Sequence, residues 1–304
     1  MIVVGGEALV DLVIRPDGHV AATLGGGPYN VARSLGRLGA SVGFLSAIST
    51  DLFGQRLHAG LDSDGVDTCY TVRTDLPTTL AAAQLDDGGS ATYQFYLTDT
   101  SAPSLDHVPV TDVPVTAFHL GTLGIVLQPM ADTMVSFLQS LGADVLVMVD
   151  PNCRPSVPFD RAAFDVRLQR ILQHAHVVKI SVDDAHFMHP HVDPLQVARQ
   201  MVADGVRVVL VTAGGDGTTV VTAGGEVVVA TDPIEVADTI GAGDSFGAAF
   251  LATWLQSGRG IDDLDDLDAL ARGTRLANQV AAITCSRIGA DPPWRRELPV
   301  DWGL

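Results

Sequence analysis

The sequence predicts an α/β protein with a mostly parallel central sheet. Candidate strands and candidate helices alternate along most of the chain, which favours repeated βαβ units. The segments 144–150 and 206–212 are almost purely apolar, as is typical of parallel strands covered on both faces. Two hairpin patterns, at about 8–24 and 76–98, interrupt the alternation. We therefore expect a layered α/β fold with two inserted hairpins.

The individual elements follow from the spacing of apolar residues. Strands outside the hairpins are predicted at 1–6, 41–47, 115–121, 144–150, 177–181, 206–212 and 227–236. Helices are predicted at 28–39, 51–65, 130–141, 246–254 and 272–284. The acidic stretch 261–270 is predicted to be a solvated helix face. The spacing of the histidines at 186, 189 and 191 suits no helix face and Pro190 interrupts any helix, so a solvated loop is predicted there.

Composition excludes several classes of function. The 304 residues carry a net charge of −18, and Lys179 is the only lysine. Such a chain cannot neutralise the phosphates of a nucleic acid, and an anionic membrane surface would repel it. Three widely spaced cysteines indicate a reducing, cytoplasmic location without disulfides. We see no signal peptide and no membrane-spanning run, and we expect one domain over residues 1–304.

The stretch 238–250, Asp-Thr-Ile-Gly-Ala-Gly-Asp-Ser-Phe-Gly-Ala-Ala-Phe, has the features of an anion site. Glycines at 241 and 243 stand where a strand segment gives way to an apolar helix, so backbone N–H groups are left bare. These groups and the helix dipole attract anions. A carboxylate at Asp244 is out of place there unless it accepts a proton from an attacking hydroxyl. Helix capping by Asp244 is the alternative interpretation.

A second glycine run, Gly-Gly-Gly-Pro-Tyr-Asn at 25–30, precedes another helix. It lacks the third glycine of a dinucleotide-binding fingerprint, which argues against that fold. The chain also has no Gly-Lys-Ser/Thr P-loop, so a P-loop kinase is excluded.

Taken together, these motifs resemble a known family. Residues 238–246 closely resemble the C-terminal signature of the ribokinase-like (PfkB) carbohydrate kinases, and Gly-Gly-x-x-x-Asn at 25–30 matches the N-terminal one. The resemblance extends from residue 1 to about 293. It implies a ribokinase-like three-layer α/β/α sandwich with a mostly parallel central sheet, and a small β-sheet lid built from the two hairpins.

The resemblance also implies roles for individual residues. Asp244 would be the catalytic base, and the transferring phosphate would bind at Gly241, Ala242, Gly243 and Arg154. The sugar would bind at Asp11, Gly26, Gly27, Asn30, Tyr93 and Phe95, as well as at Asp244. For Arg154 the alternative is a turn stabilised by Asp150 and Asn152. Tyr93 and Phe95 could equally pack in a lid–lid interface, and the lid could form a homodimer.

Cofactor and ion sites are implied in the same way. ATP would lie near Lys179, Asp184, Thr212, Gly214, Gly217 and Asn278, with Mg²⁺ bridging its phosphates. Many relatives have Asn-x-x-Glu where this chain has Ser181 and Asp184, and Gly214 and Gly217 also suit a hairpin turn. A monovalent cation such as K⁺ would bind at Asp238, Ile240, Thr284, Arg287 and Gly289. Pro293 departs from relatives that offer a serine there.

The substrate is expected to be a small carbohydrate, with ATP as phosphate donor. The strings at 6–11, 93–96 and 119–123 look most like bacterial fructokinases, which implies fructose. A 2-keto-3-deoxygluconate kinase and a ribokinase are the alternatives among enzymes. A sugar-sensing pseudokinase is the alternative outside enzymes, and retention of Asp244 argues against it.

Overall fold

The computed structural model describes residues 1–85, 91–157, 159–300 and 302. Within these ranges it has thirteen strands and eight α-helices. The strands are β1 (Ile2–Gly5), β2 (Leu9–Ile14), β3 (Val20–Gly25), β4 (Val42–Ser49), β5 (Thr71–Thr74), β6 (Leu80–Leu85), β7 (Ala91–Tyr96), β8 (Ala117–Gly121), β9 (Leu146–Asp150), β10 (Val177–Ser181), β11 (Val208–Thr212), β12 (Thr218–Thr222) and β13 (Gly225–Val229). The helices are α1 (Gly27–Arg37), α2 (Leu52–Ser63), α3 (Met130–Ser140), α4 (Arg161–Leu172), α5 (Val182–Met188), α6 (Pro194–Ala203), α7 (Ala242–Gln256) and α8 (Leu267–Cys285).

Nine strands form the central sheet, in the order β13-β12-β11-β10-β9-β8-β1-β4-β5. The pairs from β11 to β5 are all parallel, whereas β12 and β13 join antiparallel at one edge. This arrangement confirms the predicted mostly parallel sheet. Parallel strands bring their carboxyl ends to one edge, where ligands bind in open α/β sheets.

The two predicted hairpins form a separate four-stranded sheet, in the order β3-β2-β6-β7. Each hairpin is antiparallel, and β2 pairs with β6 in parallel, for example Val10 with Leu80. This small sheet confirms the second sheet expected from the resemblance. The predicted turn at 86–89 lies outside the described residues.

Alternating strand residues build two hydrophobic cores, one on each face of the central sheet. Val4 and Met148 pack with α1, α7 and α8, whereas Val3 and Val149 pack with α3 to α6. Period-two alternation sends neighbouring side chains to opposite faces. The result is the expected three-layer arrangement. No helix within the described residues is both long and apolar enough to cross a membrane.

Some predicted elements were wrong or missing. A loop was predicted around the histidines at 186, 189 and 191. His186 instead lies in the helix Val182–Met188, because Ser181 and Asp184 form a capping box at its start, whereas His189 and His191 lie in the loop that follows. The strand predicted at 227–236 ends at Val229. Helix α8 begins at Leu267, five residues before its predicted start, since the Asp266 carboxylate caps it through the Ala269 N–H at 2.9 Å. The acidic residues 262–265 form a 3₁₀ turn instead of an α-helical face. Strands β5 and β12 and helices α4 and α6 were not predicted.

Candidate active site

A cavity of about 820 Å³ lies between the small sheet, the start of α1, the start of α7 and the carboxyl ends of β9 to β11. It brings together residues that are far apart in the sequence. Thirteen of the predicted site residues line it: Asp11, Gly26, Gly27, Asn30, Phe95, Arg154, Lys179, Asp184, Thr212, Ile240, Gly241, Gly243 and Asp244. Its position beyond the strand ends is where an α/β sheet binds its ligands.

The start of α7 forms the predicted glycine turn. Gly241 is the N-cap residue, with a left-handed φ of 77°. A Cβ atom at this position would lie 2.6 Å from the Ala290 Cβ, so both conformation and space require glycine. Ala242 is not among the residues that line the cavity, and its N–H donates to the Thr239 carbonyl at 3.3 Å. The open first turn of a 15-residue helix presents a positive dipole end to the cavity.

Asp244 lies in this first turn and is 7% exposed. Its Oδ2 accepts a hydrogen bond from the Asn30 Nδ2 at 2.9 Å, and the N-cap of α7 has no side-chain cap. Capping is therefore not the role of this carboxylate. Burial raises the pKa of Asp244, while the Asn30 bond and the charges of Lys179 and Arg154 oppose that rise. The structure thus places a buried carboxylate in the first turn of α7, where the predicted base would face the cavity.

The part of the cavity where the sugar is predicted to bind combines small and polar groups. Asn30 Oδ1 is buried and has no hydrogen-bond partner in the described part of the chain, which leaves an acceptor for a ligand hydroxyl. A Cβ on Gly27 would lie 3.3 Å from the Asp244 Oδ1, so this glycine allows close approach to the base. Burial raises the pKa of Asp11 to about 6, although the Arg154 charge opposes the rise. Phe95 adds an apolar wall from the small sheet. Tyr93 belongs to β7, but its side chain lies outside the described part.

Glu7 is a cavity residue that sequence reasoning missed. It is 1% exposed, and its two carboxylate oxygens accept the N–H groups of Gly27 and Leu123, each at 3.1 Å. These bonds connect the start of α1 to the segment after β8. Burial raises the pKa of Glu7 to about 8. The available signal was a glutamate at the end of an apolar strand, because glutamate is rarely buried without partners.

The loop after β9 holds Arg154, which was predicted to bind the transferring phosphate. The Arg154 Nη1 donates to the Asn152 Oδ1 at 2.6 Å, and the Asn152 Nδ2 donates to the Thr122 Oγ1 at 3.2 Å. Asn152 therefore stabilises the turn, as the alternative interpretation held. Asp150 does not stabilise it, because its carboxylate pairs with Lys179 at 2.9 Å. Arg154 is exposed and lines the cavity, so the turn and the predicted clamp are compatible.

Both carboxylate oxygens of Asp184 accept hydrogen bonds from other residues of the protein. Its Oδ1 accepts the Cys153 N–H at 2.7 Å, and its Oδ2 accepts from the N–H and hydroxyl of Ser181 at 2.8 and 2.6 Å. The residue thereby ties the loop after β9 to the start of α5. The neighbouring Asp183 also lines the cavity, and the sequence prediction did not include it.

Three predicted nucleotide neighbours do not line this cavity. Gly214 and Gly217 form the turn between β11 and β12, which confirms the hairpin interpretation. Asn278 donates from its Nδ2 to the Val229 carbonyl at 3.2 Å and accepts the Thr218 hydroxyl at 3.0 Å. These bonds attach α8 to the hairpin. A nucleotide contact by these residues stays a prediction.

The residues predicted to bind a monovalent cation do come together. Asp238 accepts the N–H of Ile240 at 3.0 Å and that of Gly289 at 2.9 Å. The Thr284 carbonyl accepts the Arg287 N–H at 3.1 Å. In the described ranges, no group of three or more His, Cys, Asp or Glu side chains could hold a metal. A cation here would therefore depend mainly on carbonyl oxygens.

Comparison with known proteins agrees with this geometry. The model of the pfkB family carbohydrate kinases matches residues 1–296. A fructokinase of Rhizobium leguminosarum bv. trifolii is 30% identical, with 100% of this chain and 95% of that protein covered. A fructokinase of Salmonella typhimurium is also 30% identical, over 96% of each. The crystal structure of a Xylella fastidiosa fructokinase with bound ATP superposes with a TM-score of 0.84 at 26% identity, covering 95% of this chain and 93% of that one. The chain belongs to the PfkB family of carbohydrate kinases.

Proposed function

We propose that the protein transfers the γ-phosphate of ATP to a hydroxyl of fructose. The observation that carries this proposal is the buried Asp244 carboxylate at the glycine turn of α7, bonded to Asn30. The sugar oxygen attacks the γ-phosphorus, and its proton passes to Asp244. The bond from that phosphorus to the β,γ-bridging oxygen breaks, and ADP leaves with the electron pair. The N–H groups at the start of α7 stabilise the charge on the transferred group.

The charges at the sugar end favour a neutral sugar. Asp11 and Asp244 face this part of the cavity, where Arg154 and Lys179 are the cations that oppose them, whereas the raised pKa of Glu7 keeps that side chain protonated near neutral pH. A sugar acid such as 2-keto-3-deoxygluconate would bring a further carboxylate to this cluster, and like charges repel in a partly buried site. Fructose and ribose avoid that cost. The named fructokinase relatives support fructose over ribose.

The cavity can bind magnesium even though few of its side chains could be ligands. This ion keeps several waters and binds one or two carboxylates together with substrate phosphates, so it does not need a cage of side chains. Asp183 lines the cavity and has no hydrogen bond to the described residues, unlike Asp184. We infer that Asp183 holds the Mg²⁺ water shell. When bound, the ion would neutralise charge on the ATP phosphates.

The proposal also covers the phosphate donor, the oligomeric state, the cellular location and activation by potassium. The Xylella fructokinase with bound ATP supports ATP as donor. Homodimerisation through the small sheet is supported by exposed Val20 and Tyr96 on its two outer strands. Three unpaired cysteines support a reducing, cytoplasmic location. Potassium activation remains part of the proposal on the strength of the Asp238 arrangement.

A sugar panel tests the proposed substrate. ADP formation should be measured with fructose, 2-keto-3-deoxygluconate, ribose and nucleosides at fixed MgATP. Fructose should give the highest kcat/KM, and ³¹P NMR should show a phosphate monoester on a terminal hydroxyl. An efficiency on 2-keto-3-deoxygluconate about tenfold above that on fructose would identify the other substrate. Fructose binding without any turnover would instead identify a sugar-sensing pseudokinase.

A further inference from the structure

The chain uses arginine for its cations and contains a single lysine. Of the 18 Lys and Arg residues, 17 are arginines, and Lys179 alone is a lysine. Lys179 is 3% exposed, and lysine is almost never so buried unless it is paired. Burial lowers the pKa of Lys179, but the carboxylates of Asp150, Asp184 and Asp244 together more than compensate and raise it overall. The ammonium is therefore a permanent buried charge.

The Lys179 ammonium lies next to the glycine turn at the start of α7, which is called the anion turn below. A Cβ on Gly243 would lie 2.9 Å from the Lys179 Nζ, so Gly243 leaves the space that the ammonium occupies. Lys179 lines the same cavity as Gly243 and Asp244. Its one hydrogen bond among the described residues goes to Asp150, and an ammonium has three donors. Two donors are thus left at the floor of the anion site.

The carboxylates around the cavity explain why binding a triphosphate there requires a full positive charge. Glu7, Asp11 and Asp150 all lie close enough to the buried Asp244 that its charge raises the pKa of each of them. Arg154 is the other cation that acts on Asp244, and it is exposed. A helix N-terminus supplies only about half an elementary charge. The triphosphate therefore enters an acidic site with one buried cation beneath it.

We propose that Lys179 is a catalytic residue whose ammonium completes the anion site from the sheet side and donates to the transferring phosphoryl group. Asp150 is its positioning residue, because their 2.9 Å ion pair fixes the ammonium under Gly243. This inference rests on the proposed kinase function. A compact ammonium suits the narrow space under the helix better than a planar guanidinium does.

Kinetics of substituted proteins test the proposal. Lys179→Met should lower kcat by ~10²–10³-fold, the usual effect of removing one donor to a developing oxyanion. The fructose KM should change by less than about threefold, because the lost contact is made in the transition state. Arg199→Met is the control, since it removes an arginine from an exposed ion pair with Glu226, neither of which lines the cavity, and it should keep wild-type kcat.

Loss of Lys179 alone leaves the buried Asp150 charge unpaired, which can unfold the protein. The double variant Lys179→Met/Asp150→Asn removes both charges and keeps the test valid. A folded double variant with kcat within about threefold of wild type would overturn the proposal, and a drop of ~10²-fold or more would support it. Gly243→Ala should also lower kcat, because the added methyl group displaces the ammonium without removing its charge.

The single lysine permits a direct binding test. Protein labelled with ¹³C-lysine has one ε-carbon signal, so its response can be assigned without ambiguity. The β,γ-imido analogue of ATP with Mg²⁺ should shift this signal strongly, and AMP should leave it nearly unchanged. Equal responses to both nucleotides would overturn the phosphoryl contact. Because this signal requires no turnover, a failed sugar assay with a shifted lysine signal would refute the proposed substrate and leave Lys179 in place.

Discussion

As the proposed base, Asp244 accepts a proton only as a carboxylate, yet its burial favours the neutral acid. Activity should therefore fall on acidification through a pKa higher than that of an ordinary aspartate. We predict an acidic limb in the pH profile of kcat/KM that lies above about pH 4, the usual aspartate range. Circular dichroism over the same pH range separates this limb from unfolding. Full activity down to about pH 4 would show that the raised pKa of Asp244 is wrong.

Glu7 makes a second prediction at the residue scale, concerning stability. Its pKa is raised from 4.5 in the unfolded chain to about 8 in the folded protein. As pH rises between these values, the unfolded chain releases the proton while the folded protein retains it. The free energy of unfolding therefore decreases with rising pH in this window. Glu7→Gln cannot ionise, so its free energy of unfolding should decrease less between about pH 5 and about pH 8. Urea titrations measure the free energy of unfolding of the wild-type protein and of Glu7→Gln at each pH. An equal pH dependence in the two proteins would refute the raised pKa of Glu7.

At the scale of elements, two adjacent aspartates of α5 provide a matched pair. Asp184→Ala removes the capping box and the acceptor for the Cys153 N–H. It should reduce the free energy of unfolding by roughly 1–3 kcal/mol. Asp183→Ala should change stability by less than about 0.5 kcal/mol, as a surface substitution does, but should raise the Mg²⁺ concentration needed for half-maximal activity. Reversed effects would show that Asp184 holds the ion.

The same element shows how far local sequence signals reach. Ser181 and Asp184 carry the spacing of a capping box, which could have predicted α5. Asp160 and the Asp193-Pro194 pair are similar start signals for α4 and α6. By contrast, the Glu7 bonds to Gly27 and Leu123 and the Asp150–Lys179 pair join residues 20 to 116 positions apart. Such contacts depend on the sheet order, which spacing alone does not give. Motif residues such as Asp244 were predictable because their neighbours in sequence define the turn.

At the scale of the whole molecule, Asp238 connects the segment before α7 to the segment after α8. A cation bound near its carboxylate and the nearby carbonyls would order the anion turn. We predict that activity at fixed Mg²⁺ falls when potassium is exchanged for tetramethylammonium at constant ionic strength. Asp238→Ala should abolish this difference while sugar binding persists. An identical rate in both salts would remove the cation site from the proposal and leave Asp244 unaffected.

In the proposed mechanism one base, Asp244, lies between the sugar and the glycine turn of α7, and phosphoryl transfer depends on it. The most direct measurement compares fructose-dependent ADP formation by the wild-type protein and Asp244→Asn. The amide is nearly isosteric and retains a partner for Asn30, so folding and fructose binding should persist. We predict a loss of ~10²–10⁴-fold in kcat for the variant, the usual contribution of a general base. A folded variant with near wild-type kcat would contradict the assignment of Asp244 as the base.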